Sequence, residues 1–331
     1  MAAGSYNPES GSNSSASCRA CEAGKANPVP GSRGASACTD CLPGSFTDFE
    51  GGGTCEGCKA GTYQNKEGMM TCKPCAPGSY CSAGASAPLP CGQGSYSNFT
   101  NLTSSSECTP TDKGHYASTG SIHQTPCSPG TVAPRASMGK CDRCNAGTYQ
   151  DQSGQEACEP CTSGSYCAEG ASAALPCEAG TYSNLTNLTS DDQCTATALG
   201  FHSSTGSTEQ TECSPGTVAP RAGMGVCDRC EAGKYQADEG KQACVACKHG
   251  SYCPAGASAP LPCVEGSHSS ATDLTGADQC DETDPGHFAP TGSTEQTKCS
   301  PGTVAPRAEM GACDKCEAGK YQADEGRLVS V

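Results

Sequence analysis

Residues 58–75 read Cys-Lys-Ala-Gly-Thr-Tyr-Gln-Asn-Lys-Glu-Gly-Met-Met-Thr-Cys-Lys-Pro-Cys. Cys58 opens the stretch, Gly61 follows three residues on, Tyr63 two after that, and Cys72 closes a loop of 13 residues. Glycine at this position most simply supplies a turn that a Cβ would hinder. Tyrosine supplies the one large apolar face of the loop, laid over a disulfide as a miniature core. Loops of the same spacing run from Cys41 to Cys55 around Gly44 and from Cys127 to Cys141 around Gly130. Closing each loop contributes on the order of 3 kcal/mol in the chain-entropy model. The same Gly-x-Tyr step recurs at Tyr6, Tyr80, Tyr96, Tyr149, Tyr166, Tyr182, Tyr235, Tyr252 and Tyr321. No longer stretch has helical or strand periodicity. The expected fold class is therefore small and disulfide-rich: an extended tandem array of short β-hairpins and turns with little or no helix.

Outward from this stretch the pattern repeats without insertion or deletion. Cys58, Cys72, Cys75, Cys81, Cys91, Cys108, Cys127 and Cys141 recur 86 residues later as Cys144, Cys158, Cys161, Cys167, Cys177, Cys194, Cys213 and Cys227. They recur again as Cys230, Cys244, Cys247, Cys253, Cys263, Cys280, Cys299 and Cys313. Function belongs to such an array and not to one pocket. The domains expected are 1–57, cysteine-rich modules of which the first is truncated, then repeats 58–143, 144–229 and 230–315, and 316–331, the start of a fourth. Residues 127–136 are identical in all three repeats, exposed loop included, which points to recent duplication before it points to a selected binding surface; Arg135, Arg221 and Arg307 receive no role on that basis.

The ends depart from the template. Met1 stands where the repeat puts a cysteine, and the unit opened by Cys316 would reach its next cysteine at Ser330. The reading expects an array cut at both ends, with Cys18 and Cys316 unpaired and any signal peptide or anchor outside this chain. The other 28 cysteines make about 14 disulfides. Spacing suggests Cys21–Cys38, Cys41–Cys55, Cys58–Cys72 and Cys127–Cys141. Four cysteines then remain in each repeat, with three pairings open to them. The interleaved one, Cys75–Cys91 with Cys81–Cys108, is favoured as a compact knot.

Composition fixes the setting. Thirty cysteines in 331 residues, no tryptophan, five phenylalanines, 42 glycines and 23 prolines leave too little apolar side chain to offset folding entropy by burial. Covalent bridges must hold the chain, and they persist in an oxidising compartment. The expected location is extracellular or at the cell surface. A net charge of −15 argues against nucleic acid, whose phosphates recruit Lys and Arg. No apolar run approaches the roughly 18 residues that span a membrane. Sequons at Asn13, Asn98, Asn101, Asn184 and Asn187 are candidate glycosylation sites, as expected of surface loops in a secreted chain. The third repeat carries Ser270 and Asp273 where the others carry the paired asparagines.

The Cys-x-x-Cys-x-x-Gly-x-Tyr step with its 13-residue loop and the insert Gly-Ser-Tyr-Cys-Ser-Ala-Gly-Ala-Ser-Ala-Pro-Leu-Pro-Cys at 78–91 resembles the ephrin-receptor-like cysteine-rich module. That module belongs with the growth-factor-receptor and tumour-necrosis-factor-receptor-like cysteine-rich group. The resemblance runs from Gly4 to Gly326 and implies a receptor-ectodomain or surface-array setting, with no kinase signature to carry over. Cell-surface or matrix proteins or glycans are the partners it implies.

Two other readings were weighed against a stapled array. Cys55-x2-Cys58-x13-Cys72-x2-Cys75 has the spacing of a four-cysteine zinc module, which would make an intracellular metal-folded protein. Cys81, Cys91, Cys108 and Cys127 do not come as paired ligands, however, and neighbouring motifs share cysteines. Catalysis needs converging groups, and His115, His123, His202, His249, His268 and His287 are scattered. Asp278, Asp281, Glu282 and Asp284 form an acidic loop that the second repeat lacks, with Thr195 and Ala196 in place of two of them. The sequence calls for no enzyme activity, metal or cofactor.

Overall fold

The computed structural model describes residues 2–9 and 15–329. The backbone divides into two units, one of residues up to Pro160 with Ala168–Ala173, the other of Cys161–Cys167 with residues from Ala174 onward. Among the described residues each unit holds nine two-stranded antiparallel sheets, every strand two residues long. In the first unit Thr62–Tyr63 pairs with Lys73–Pro74; in the second Ser165–Tyr166 pairs with Leu175–Pro176. Helix is confined to single 3-10 turns such as Ser105–Glu107, which delivers Cys108 to its partner. The chain is thus an all-β, disulfide-rich tandem array of short hairpins.

A lone two-stranded hairpin is marginal in water, so each must lean on its neighbours. The turn glycine makes that contact with both of its backbone groups. In the first unit the Gly44 N–H donates to the Gln64 carbonyl at 2.7 Å, and the Gly44 carbonyl accepts the Cys58 N–H at 2.8 Å. One hairpin on, Gly61 donates to Cys81 at 2.8 Å and accepts from Cys75 at 2.9 Å. The second unit repeats the arrangement, with Gly216 donating to Gln236 at 2.7 Å and accepting from Cys230 at 2.9 Å. Gly61 has φ 85°, and a Cβ there would lie 2.5 Å from the Asn101 carbonyl oxygen, two hairpins ahead. Glycine is required for conformation and for close approach together. The bonding runs straight through the 143/144 boundary of the 86-residue period, where Gly130 donates to Gln150 at 2.7 Å.

Besides the buried opening cysteines three positions before such a glycine, among them Cys58, Cys75, Cys91 and Cys127, the core contains a line of single buried residues, each three positions after one. In the first unit that line comprises Asn27, Thr47, Gln64, Cys81, Ser97, Ala117, Ala133 and Gln150; the second continues with Cys167, Ser183, Ser203, Ala219, Gln236, Cys253, Ser269, Ala289, Ala305 and Gln322. Except at Thr47, whose hydroxyl has no partner, the polar members replace lost water with backbone bonds. Gln64 donates Nε2 to the Thr71 carbonyl at 2.6 Å and accepts the Lys66 N–H on Oε1 at 3.1 Å. Gln236 makes the same pair of bonds, to Ala243 and from Asp238.

Tyrosine, the exposed Tyr321 apart, lies beside this line and is half-buried, where the sequence reading made it the core of its own loop. Tyr80 packs on Leu102 and the cystine of the following hairpin, Cys91–Cys108. Tyr116 packs on Cys127–Cys141 with Met138, and in the second unit Phe288 packs on Cys299–Cys313 with Met310. Each of these aromatics therefore seals the next disulfide along the chain.

Fourteen disulfides are formed among the described residues. Those at 21–38, 41–55, 58–72, 127–141, 144–158, 213–227, 230–244 and 299–313 close hairpins from the residue three before the glycine to the residue before the return strand. The interleaved pairing is overturned. Cys75 pairs with Cys81 and Cys91 with Cys108, and likewise 161–167 with 177–194 and 247–253 with 263–280. The reason is the core line. Cys81 occupies the buried position three after Gly78, across the strand Ser79–Tyr80 from Cys75, with Cα atoms 6.0 Å apart. Cys91 opens a new hairpin whose return strand Thr109–Pro110 directly follows Cys108. A knot joining Cys75 to Cys91 would pull Cys81 out of the core.

Candidate functional site

Local order dictates where the sequence-predicted residues lie. Asn98 and Asn184 sit just beyond the buried serines Ser97 and Ser183, on exposed loops. Asn101 and Asn187 are also exposed and hold φ near 61–62°, a conformation asparagine tolerates. Each precedes a buried leucine, Leu102 or Leu188, that anchors the loop. The fifth sequon, Asn13, lies outside the described residues. Cys18 and Cys316 form no disulfide and are half-buried.

The four cysteines with zinc-module spacing do not face one centre. Cys55 is joined to Cys41, Cys58 to Cys72 and Cys75 to Cys81. His202, Cys213 and Cys227 bring donor atoms within 4.8 Å of one another, but the two sulfurs are one cystine. His202 stands where the other repeats have Tyr116 and Phe288, so this is the aromatic-on-cystine contact with an imidazole in the aromatic's place. His202 Nδ1 lies 3.1 Å from the Thr211 carbonyl and 3.3 Å from Cys227 Sγ. Neither neighbour has a proton to give, so Nδ1 carries one and donates it.

Open grooves recur at one position of the repeat. In the first unit a groove of ≈ 410 Å³ is lined by Gln93, Arg135, Met138, Lys140 and Asp142. Its counterpart in the second unit, ≈ 470 Å³, has Ala179, Arg221, Met224, Val226 and Asp228. Arginine, methionine and aspartate persist while the other lining side chains change from polar and basic to apolar. A site selected for one ligand would hold its charge constant.

Among the described residues one phenol stands apart in its electrostatics. Tyr149 donates to Glu159 at 3.4 Å. Its phenol is pushed above the usual value by desolvation first, then by the Glu159 and Asp151 carboxylates. That contact lies across the strand pair Thr148–Tyr149 and Glu159–Pro160. No helix among the described residues is long and apolar enough to cross a membrane.

The buried position after Tyr was missed by sequence reasoning. Its signal is Gly-Thr-Tyr-Gln at 61–64 and 147–150 and Gly-Lys-Tyr-Gln at 233–236 and 319–322; an invariant polar residue beside an aromatic reads as surface until its two backbone partners are seen.

A family model described as tyrosine-protein kinase ephrin type A/B receptor-like matches residues 44–88 and 130–174. The matched windows are 86 residues apart, and each opens on a turn glycine, Gly44 or Gly130. No curated protein matches the sequence. Over the matched windows the chain is a cysteine-rich, disulfide-bonded repeat related to that family, and its hairpins form a non-catalytic module.

Proposed function

We infer that this chain is an extracellular or cell-surface repeat array that acts as a structural stalk or protein-interaction region. The observation carrying this reading is the regular succession of disulfide-closed hairpins joined through their turn glycines. Such a build supplies spacing and repeated loops, and it supplies them only where cystines persist. Sugars on Asn98, Asn101, Asn184 and Asn187 would shield or present one set of loops. A partner would engage exposed loops repeated along the array, where weak contacts add through multivalency; cell-surface or matrix proteins and glycans fit that mode.

The test is expression of the chain behind a secretory leader, followed by mass measurement before and after enzymatic removal of N-linked sugars. Secreted protein with blocked thiols and sugar on the paired sequons supports the reading. Retention as a reduced, metal-loaded species overturns it. Beads carrying the array at high density then test the interaction arm: capture of a cell-surface or matrix component supports it, and no capture at any density restricts the protein to a stalk.

A further inference from the structure

One hairpin in every repeat carries no disulfide at all. The hairpin of His115–Tyr116 and Thr125–Pro126 has its turn glycine at Gly114. At the two positions that carry cysteines in its neighbours, three before the glycine and one before the return strand, it has Thr111 and Gln124. The second unit has the same substitution twice, with Thr197 and Gln210, then Thr283 and Gln296. Hydrogen bonds occupy the place of the cystine. Thr111, fully buried, accepts the Met138 N–H on Oγ1 at 3.1 Å. Gln124 accepts the Asp112 N–H at 2.8 Å and donates to the Asp112 carboxylate at 2.8 Å. Thr283, Gln296 and Asp284 reproduce these bonds. In the middle repeat Ala198 replaces Asp112, and Gln210 keeps just its bond from the Ala198 N–H at 2.8 Å.

We propose that these three hairpins make the array extensible: under tension residues 109–126, 195–212 and 281–298 pay out while every disulfide stays closed. The disulfides 91–108 and 127–141 bracket the first segment without spanning it, and the later repeats are bracketed in the same way. Each segment releases roughly 60 Å of contour at about 3.3–3.6 Å per residue. Among segments that lie between disulfides the next-longest, 82–90 between Cys81 and Cys91, releases about half as much. The function added is a compliant tether with fixed stops.

The experiment is single-molecule stretching of the whole chain without reductant, with free thiols counted by alkylation on the same preparation. Besides release of the two ends outside Cys21 and Cys313, three internal steps of up to roughly 60 Å are expected below the force at which the remaining contour is released. Thr111→Cys with Gln124→Cys should remove one step and add one disulfide by mass. Should that bridge not close, Gln124→Ala still tests the proposal, because it lowers the opening force of one step and leaves the other two in place. Closed disulfides with no such steps, or a trace unchanged by Gln124→Ala, overturn the proposal and leave the stalk reading standing. Free thiols throughout overturn both.

Discussion

At the scale of single residues the turn glycine does more than bend the chain. Gly61 joins three hairpins, because its N–H and carbonyl serve the next one and its missing Cβ admits the Asn101 carbonyl from the one after. Gly84 also has positive φ, 72°, but nothing lies within 4 Å of its Cβ position. Gly84→Ala should incur only the conformational cost, about 1 kcal/mol. Gly61→Ala adds a backbone collision, for a total of about 2–4 kcal/mol. Hydrogen exchange at the Cys75 amide, which bonds the Gly61 carbonyl, reads the difference. Equal protection in the two variants would mean the close approach is not what holds the stack. A second residue-scale prediction concerns His202. Its Nδ1–H stabilises a Cys227 thiolate more than a cystine sulfur, so reduction is favoured there. In a graded thiol buffer Cys213–Cys227 should open before its equivalents Cys127–Cys141 and Cys299–Cys313, which pack against Tyr116 and Phe288. His202→Phe should bring all three into step, read by differential alkylation.

At the scale of elements, loop spacing identifies the hairpins closed by 13-residue disulfide loops, but the reading fails for Cys75, Cys81, Cys91 and Cys108, although Cys91–Cys108 closes its hairpin with the separation of Cys21–Cys38. Two facts were hidden there. The position three after the glycine is the core, and a cysteine can fill it as readily as Gln64 or Ser97 does. Its partner is then the cysteine across a single strand, six residues away in sequence. Counting loop lengths cannot reveal this, because the burial comes from the Gly61 N–H of the preceding hairpin closing over Cys81. The aromatic contacts were half legible: a tyrosine over a disulfide was readable, but the disulfide belongs to the following hairpin, a contact set by stacking and not by sequence proximity. The Thr111 and Gln124 pair was legible in principle, since both fall in cysteine register, but their role needed the Met138 and Asp112 bonds. Peptide mapping of the unreduced protein tests the pairing. Cleavage between Cys81 and Cys91 should release Cys75 and Cys81 together, free of Cys91 and Cys108. A linked Cys75–Cys91 peptide would restore the knot.

At the scale of the whole molecule, the question is what offsets the entropy of ordering a chain so poor in large apolar residues. Backbone ordering costs about 1–2 kcal/mol per residue, and the buried line is mostly alanine, serine, glutamine and cystine. Exposed ion pairs such as Lys113–Glu156 at 3.0 Å add little. Disulfides act on the other side of the balance by narrowing the unfolded ensemble, on the order of 3 kcal/mol for each 13-residue loop. Folding should therefore depend on oxidation and be indifferent to metal. A thiol reductant is expected to abolish hairpin protection throughout both units, and a chelator such as EDTA to leave the melting profile unchanged. Intact mass should gain about two mass units for each disulfide reduced, with Cys18 and Cys316 the two thiols open to alkylation beforehand. The two treatments separate the covalent account from the metal one, because chelation collapses a fold whose cysteines bind metal and cannot touch a cystine. Collapse in EDTA with thiols already free would place the stability in metal–thiolate bonds and withdraw the extracellular reading with it.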